Sequence, residues 1–169
     1  MLSLLIYMLS ITTHEEHNMN WERTRRLLIL HEGEVVSEPY QCSEGYWSFG
    51  IGRNLQANPP TLQELLVLLK DKQEGVHLML ANDLDKAEAE ALKYPWYADL
   101  SEVRQAVIIS AIFQLGAHGW AQFKRTHKAL QYSSWHIAAQ NMKESLWYRQ
   151  TPARVEQLAT MLETNSWPI

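Results

Sequence analysis

The sequence predicts an α+β fold, with a small β-hairpin-bearing N-lobe and a mainly helical C-lobe joined by a long helix. Three observations carry this. Residues 35–55 are rich in Tyr, Trp, Phe and Ile and are punctuated by Pro39, Gly45, Gly50 and Gly52, the composition of a small antiparallel meander. Residues 62–92 read as helical nearly throughout. From Ser101 onward every periodic segment has helical spacing, so strands and helices are segregated along the chain.

Taken in order, Trp21 to His31 has apolar Trp21, Leu27, Leu28 and Leu30 with three arginines among them, an amphipathic helix of about three turns. Gly33 is placed to end it. The meander follows, then a loop at Asn58-Pro59-Pro60, and Thr61 can start the next helix. Within 62–92, Gly75 is the expected point of a break or bend. Beyond it Val76, Leu80, Leu84, Ala87 and Ala91 fall at spacings of three and four, one helical face. Tyr94-Pro95-Trp96 closes the segment, because the residue before proline disfavours helix. Ser101 caps a run whose centre, Ala106 to Leu115, is apolar nearly all round, as expected of the buried axis of the C-lobe. Gly116 and Gly119 mark its exit, and residues 121–132 and 135–146 read as short helices. Thr151-Pro152 has the form of an N-cap followed by proline at the first helical position. The helix it opens, Ala153 to Glu163, puts Val155, Leu158, Ala159 and Leu162 on one face.

The expected organisation is an N-terminal extension over 1–18 and a single two-lobed domain over 19–169. The N-lobe covers about 31–75, and the C-lobe about 92–169 plus the first helix. Residues 1–11, MLSLLIYMLSI, are apolar but fall short of the roughly 20 residues that span a bilayer. They lack a basic n-region and a small-residue cleavage site. An upstream start ahead of Met19, or a weak export anchor, is the reading they support.

Composition excludes several function classes. The net charge of −4 has the wrong sign for non-specific nucleic-acid binding. The chain has one cysteine, Cys42, so no internal disulfide forms, and no Cys/His metal spacing is present. No metal or cofactor is called for.

Residues 30–55 bring three polar groups into a short span: Glu32 at a helix end before Gly33, Cys42 just before a turn, and Ser48 inside the strand-like YWSFGIG. In order along the chain, HEG, CSEGYWSFGIGRNL, FQLG and LWYRQTPARV resemble the phage-type lysozymes, glycoside hydrolase family 24. The resemblance implies a lysozyme-like fold and an endo-acting muramidase. Such an enzyme hydrolyses the β-1,4 bond between N-acetylmuramic acid and N-acetylglucosamine in peptidoglycan, as an endolysin does in host lysis. It implies Glu32 as the catalytic acid. Ser48 replaces the family's threonine, and Cys42 stands where its aspartate is expected. Nine residues separate Glu32 from Cys42, one more than in the family, with the extra residue expected near Glu38-Pro39. A thiol with an ordinary pKa of about 8.5 is only a few per cent thiolate at neutral pH, so it is not a simple substitute for a carboxylate. The changes at Cys42 and Ser48 also admit a catalytically impaired wall-binding or scaffold protein.

By the same resemblance Glu44, Gln114 and Asn141 bind saccharide, Arg154 supports Glu32 by pairing with it, and Arg53 and Asp83 form an ion pair between hairpin and long helix. Trp147 and Tyr148 read as core or wall aromatics. Peptidoglycan is the implied partner, with no nucleic acid, no stable membrane span and a monomeric state. The expected location is the bacterial cytoplasm, followed by release to the wall through a separate pore protein; export through the N-terminal segment is the alternative.

Overall fold

The computed structural model describes residues 20–33, 36–42 and 45–168. The N-terminal extension and Glu44 lie outside the described residues. Helix α1 is Trp21–Glu32. A three-stranded antiparallel sheet follows: β1 Val36–Gln41, β2 Trp47–Gly50 and β3 Arg53–Asn54, in the order β1-β2-β3. The helices after it are α2 Leu62–Lys70, α3 Lys72–Ala91, α4 Glu102–Ala121, α5 Lys124–Gln131, α6 Trp135–Lys143, α7 Leu146–Gln150 and α8 Pro152–Thr164. The α+β expectation is therefore met.

Helix α1 buries Thr24, Leu27 and Leu28, while Leu30 is exposed rather than part of the apolar face. Gly33 ends the helix as expected: its N–H closes on the Ile29 carbonyl at 3.0 Å, in a left-handed conformation that suits glycine. In the sheet, Tyr40 pairs with Ser48 and Ser48 with Asn54, and Phe49 pairs with Arg53. The β1–β2 register shifts between Val36 and Tyr40. Glu38-Pro39 lies in that interval, where the extra residue was expected, and a bulge absorbs such an insertion.

Thr61 opens α2 with a full capping box: Thr61 Oγ1 accepts from Glu64 N, and Glu64 Oε2 accepts from Thr61 N at 2.7 Å. The break in the long helical segment is at Asp71, not Gly75. Asp71 is extended (φ −148°, ψ 110°), and its carboxylate caps the next helix by accepting from Gln73 N and Glu74 N. The physical reason is that an aspartate can satisfy the orphan amides of a new helix, whereas Gly75 is needed inside α3. It is buried, and a Cβ on it would lie 2.5 Å from Leu68 Cδ2.

Helix α2 is inside out. Leu62, Leu65, Leu66 and Leu69, at spacings of three and four, are 43–84% exposed, whereas Glu64 is fully buried. In α3 the anticipated stripe of Val76, Leu80, Leu84, Ala87 and Ala91 is buried. Helix α4 is interrupted at Gly116 (φ 68°, ψ 165°), as its glycine suggested.

Two compact units can be distinguished, and the division falls within α4. Among the described residues, one comprises Arg23–Tyr94 and Ile109–Gln122, and the other 20–22, Pro95–Ile108 and 123–168. Most of α1 is thus grouped with the sheet. In the second unit the core includes Val103, Ala138, Met142, Val155, Leu158 and Leu162. Arg104 ties its surface together, its guanidinium 3.9 Å over the Trp135 ring and its Nε donating to the Leu162 carbonyl at 2.9 Å. Trp147 is core, meeting Phe123 edge-on. Thr151 precedes α8 with Pro152 at the first turn, but its hydroxyl donates to the Trp147 carbonyl and makes no cap. Among the described residues no single helix is long and apolar enough to cross a membrane.

Candidate active site

Glu32 is the last residue of α1, and a half-buried one. Its carboxylate rests on the turn between β2 and β3: a Cβ added to Gly52 would stand 2.5 Å from Glu32 Oε2 and 2.9 Å from its Cδ. Gly52 has φ +69°, so both its backbone conformation and the closeness of the carboxylate require glycine.

Cys42 follows β1 and is half-buried, with a free thiol. A tight turn fixes its backbone. The Cys42 N–H donates to the Tyr46 carbonyl at 3.0 Å, and the Cys42 carbonyl accepts from Gly45 N at 2.9 Å. Ser48 is buried in the central strand, directly between Tyr40 and Asn54.

Tyr40 connects these residues, and sequence reasoning did not single it out. Its phenol pKa is raised above the ordinary value by burial first, then by its nearness to Glu32 and Cys42, against a hydrogen bond with the Gly52 backbone. Tyr40 therefore senses Glu32 and Cys42 together, at the glycine turn. Its position in the strand two residues before Cys42 was the signal available in the sequence.

Behind the turn, Arg53 is buried and makes a denser network than the single ion pair expected with Asp83. It donates to Asp83 from Nε and Nη2 (both 2.7 Å), to Glu64 from Nη1 (3.0 Å) and Nη2 (2.9 Å), and to the Met79 carbonyl (2.9 Å). Glu64 also accepts from Asn82 at 2.8 Å, and Asp83 accepts from Asn58 at 2.6 Å. Burial alone would raise the Glu64 pKa; the hydrogen bonds from Arg53, the Thr61 amide and Asn82 outweigh it and hold the carboxyl down at about 2. Glu64 escaped sequence reasoning because a glutamate at the third position of a helix reads as a solvated cap.

Gln114 lies in the same unit as Glu32, half-buried and two residues before the Gly116 interruption. Asn141, on α6, and Arg154, on α8, are half-buried members of the other unit. Glu32, Cys42 and Ser48 all fall in the first unit. Among the described residues no group of three or more His, Cys, Asp or Glu side chains is arranged to hold a metal ion.

A helix-end carboxylate on a glycine turn, within a three-stranded sheet followed by helices, places the chain among the lysozyme-like α+β proteins. It belongs to the phage lysozyme family, whose profile matches residues 31–160, a span that includes every candidate site residue. The chain is 29% identical over 159 residues to Probable T4-type lysozyme 1 of Dictyostelium discoideum, covering 83% of this chain and 93% of that protein. It is 25% identical to Probable T4-type lysozyme 2 of the same organism, with the same coverage. It also resembles the pre-baseplate central spike protein Gp5 of Enterobacteria phage T4, at 23% identity over 75% of this chain and 25% of that protein. Family membership supports a peptidoglycan hydrolase of the muramidase type.

Proposed function

We propose that the chain is a lysozyme that hydrolyses the β-1,4 bond between N-acetylmuramic acid and N-acetylglucosamine, serving as an endolysin in lysis of the host cell. The observation that carries this is the placement of the Glu32 carboxylate on Gly52, within the span that matches the phage lysozyme family. Glu32 acts as general acid: it gives its proton to the glycosidic oxygen as the bond from the anomeric carbon to that oxygen breaks. Cys42 and Ser48 serve the opposite face of the sugar. Attack by a Cys42 thiolate forms a carbon–sulfur bond that a water then breaks, releasing the thiolate with net retention, whereas direct attack by a water gives inversion, so the anomer of the first product distinguishes the two uses of the site. Gln114, Asn141 and Glu44 bind saccharide, and Arg154 supports Glu32.

Zymography on a peptidoglycan gel tests this. The wild-type chain clears the gel and Glu32→Gln does not. The replacement of the family's aspartate by Cys42 favours one second reading, a wall-binding protein without turnover. Wall binding without clearing, unchanged in Glu32→Gln, would establish that reading instead. The proposed location is the bacterial cytoplasm before release to the wall. Fractionation of cells expressing the chain from Met1 and from Met19 tests it, and membrane retention only of the longer form would show that the N-terminal segment acts as an anchor.

A further inference from the structure

Two glycines flank Ile51 in the β2–β3 turn, both with positive φ, but they face different neighbours. A Cβ on Gly50 (φ +65°) would meet Val76 Cγ1 at 3.1 Å, whereas a Cβ on Gly52 (φ +69°) would occupy the space of the Glu32 carboxylate. Gly52 is followed at once by Arg53, whose guanidinium is held by two carboxylates and a carbonyl with almost no access to water. Both oxygens of Glu64 are occupied in turn, Oε1 by Arg53 and Asn82 and Oε2 by Arg53 and the Thr61 amide. The residue after Gly52 is therefore anchored to α2 and α3, and the turn backbone has little freedom to move under the carboxylate.

We propose that Gly52 is a positioning residue for the Glu32 carboxylate, and that Glu64 and Asp83 act on Glu32 at one remove by fixing Arg53 and hence the turn. Glu32 sits at the fraying end of a helix, where its backbone alone does not determine where its carboxylate points. The turn supplies the missing constraint as a fixed surface from the other side. Proton transfer to a glycosidic oxygen depends on heavy-atom placement within a few tenths of an ångström, so a displacement of about 1 Å costs on the order of 100-fold in rate. This inference rests on the reading of Glu32 as the general acid.

The experiment compares Gly52→Ala, Gly50→Ala and Glu64→Gln in the full chain. The readouts are kcat and KM on peptidoglycan fragments and the carbon-13 NMR titration of the Glu32 side-chain carboxyl, assigned with Glu32→Gln. Gly52→Ala is expected to lower kcat by about 100-fold with KM within about threefold, and to shift the Glu32 titration. Gly50→Ala carries similar backbone strain and should leave the Glu32 titration in place. Glu64→Gln should shift it in the same sense as Gly52→Ala, to a smaller extent. Equal effects of Gly50→Ala and Gly52→Ala on the Glu32 resonance would overturn the proposal, as would an unchanged resonance in Gly52→Ala. Should Gly52→Ala fail to fold, the Glu64→Gln titration decides: a shift supports the proposal and an unmoved resonance overturns it. Full wall clearing by Glu32→Gln would instead defeat the general-acid reading, while the resonance would still report whether Gly52 positions the carboxylate.

Discussion

Arg53 and Glu64 face each other with two parallel hydrogen bonds, 3.0 and 2.9 Å, and neither side chain is open to solvent. Such a fork-to-fork pair is among the stronger polar contacts a protein makes, and it is demanding, since removing one partner leaves the other charged and buried. Asp83, Asn82, Asn58 and the Thr61 amide complete the hydrogen bonding. The contact joins β3 to α2, a helix whose Leu62, Leu65, Leu66 and Leu69 face outward.

Acid should undo this contact in a defined window. The folded chain keeps Glu64 ionised down to about pH 2, whereas a carboxyl of its type ordinarily titrates near 4.5. Between those values the unfolded chain binds more protons, so acid favours unfolding. The stabilisation is complete above about pH 4.5 and is lost as the pH falls through about 2; it amounts to roughly 3 kcal/mol. Urea midpoints measured from pH 6 to pH 2 should show the gap between wild type and Glu64→Gln closing by about that much. Parallel curves would show that Glu64 is not the acid-sensitive group.

Gly75→Ala should destabilise, against the usual gain of about 1 kcal/mol for replacing a helical glycine by alanine. The new methyl group would meet Leu68 Cα at 2.8 Å as well as the Leu68 side chain, so the α2 backbone itself would have to shift. A loss of about 1–3 kcal/mol in thermal or urea denaturation is expected. A gain would mean that α2 can move off α3 at little cost.

Leu69→Lys and Leu84→Ala should differ sharply. Leu69 is 84% exposed and Leu84 is 1% exposed. The first change should stay within about 0.5 kcal/mol of wild type, and the second should cost about 2–5 kcal/mol. A large loss in Leu69→Lys would show that its side chain contributes to the stability of the folded chain.

At Cys42, turbidity loss of cell walls separates the thiol's possible roles. Cys42→Asp should retain clearing, because a carboxylate restores the group the family uses there. Cys42→Ala should lose on the order of 100-fold, the scale expected for removing a catalytic nucleophile or base. Full activity in Cys42→Ala would remove the thiol from the mechanism.

The sequence and the structure part company where side chains have two uses. Glu32, Gly33 and the GIG turn were legible because a helix stop and a positive-φ turn leave few residue choices. The stripe of α3 was legible from spacing alone. Asp71 was not, because an aspartate between two apolar runs reads as a solvated position until its capping of Gln73 and Glu74 is seen. Gly75 misled for the opposite reason: glycine signals flexibility, yet here it provides closeness to Leu68. In the site, the order Glu32, Cys42, Ser48 could be read along the chain. Tyr40 and the Glu64 contact arise from strand pairing and from a helix placed on its polar face, neither of which periodicity encodes.

Helix α2 has a thermal consequence. An element that docks through apolar burial loosens on cooling and contributes strongly to the heat capacity of unfolding. With Leu62, Leu65, Leu66 and Leu69 already in water and Glu64 as its one fully buried residue, α2 has mainly the half-buried Val67 and Leu68 to expose when it detaches. Its release should leave only a small calorimetric trace, and refrigeration should weaken its hold little. A helix of this kind is fastened in a way that cold loosens little.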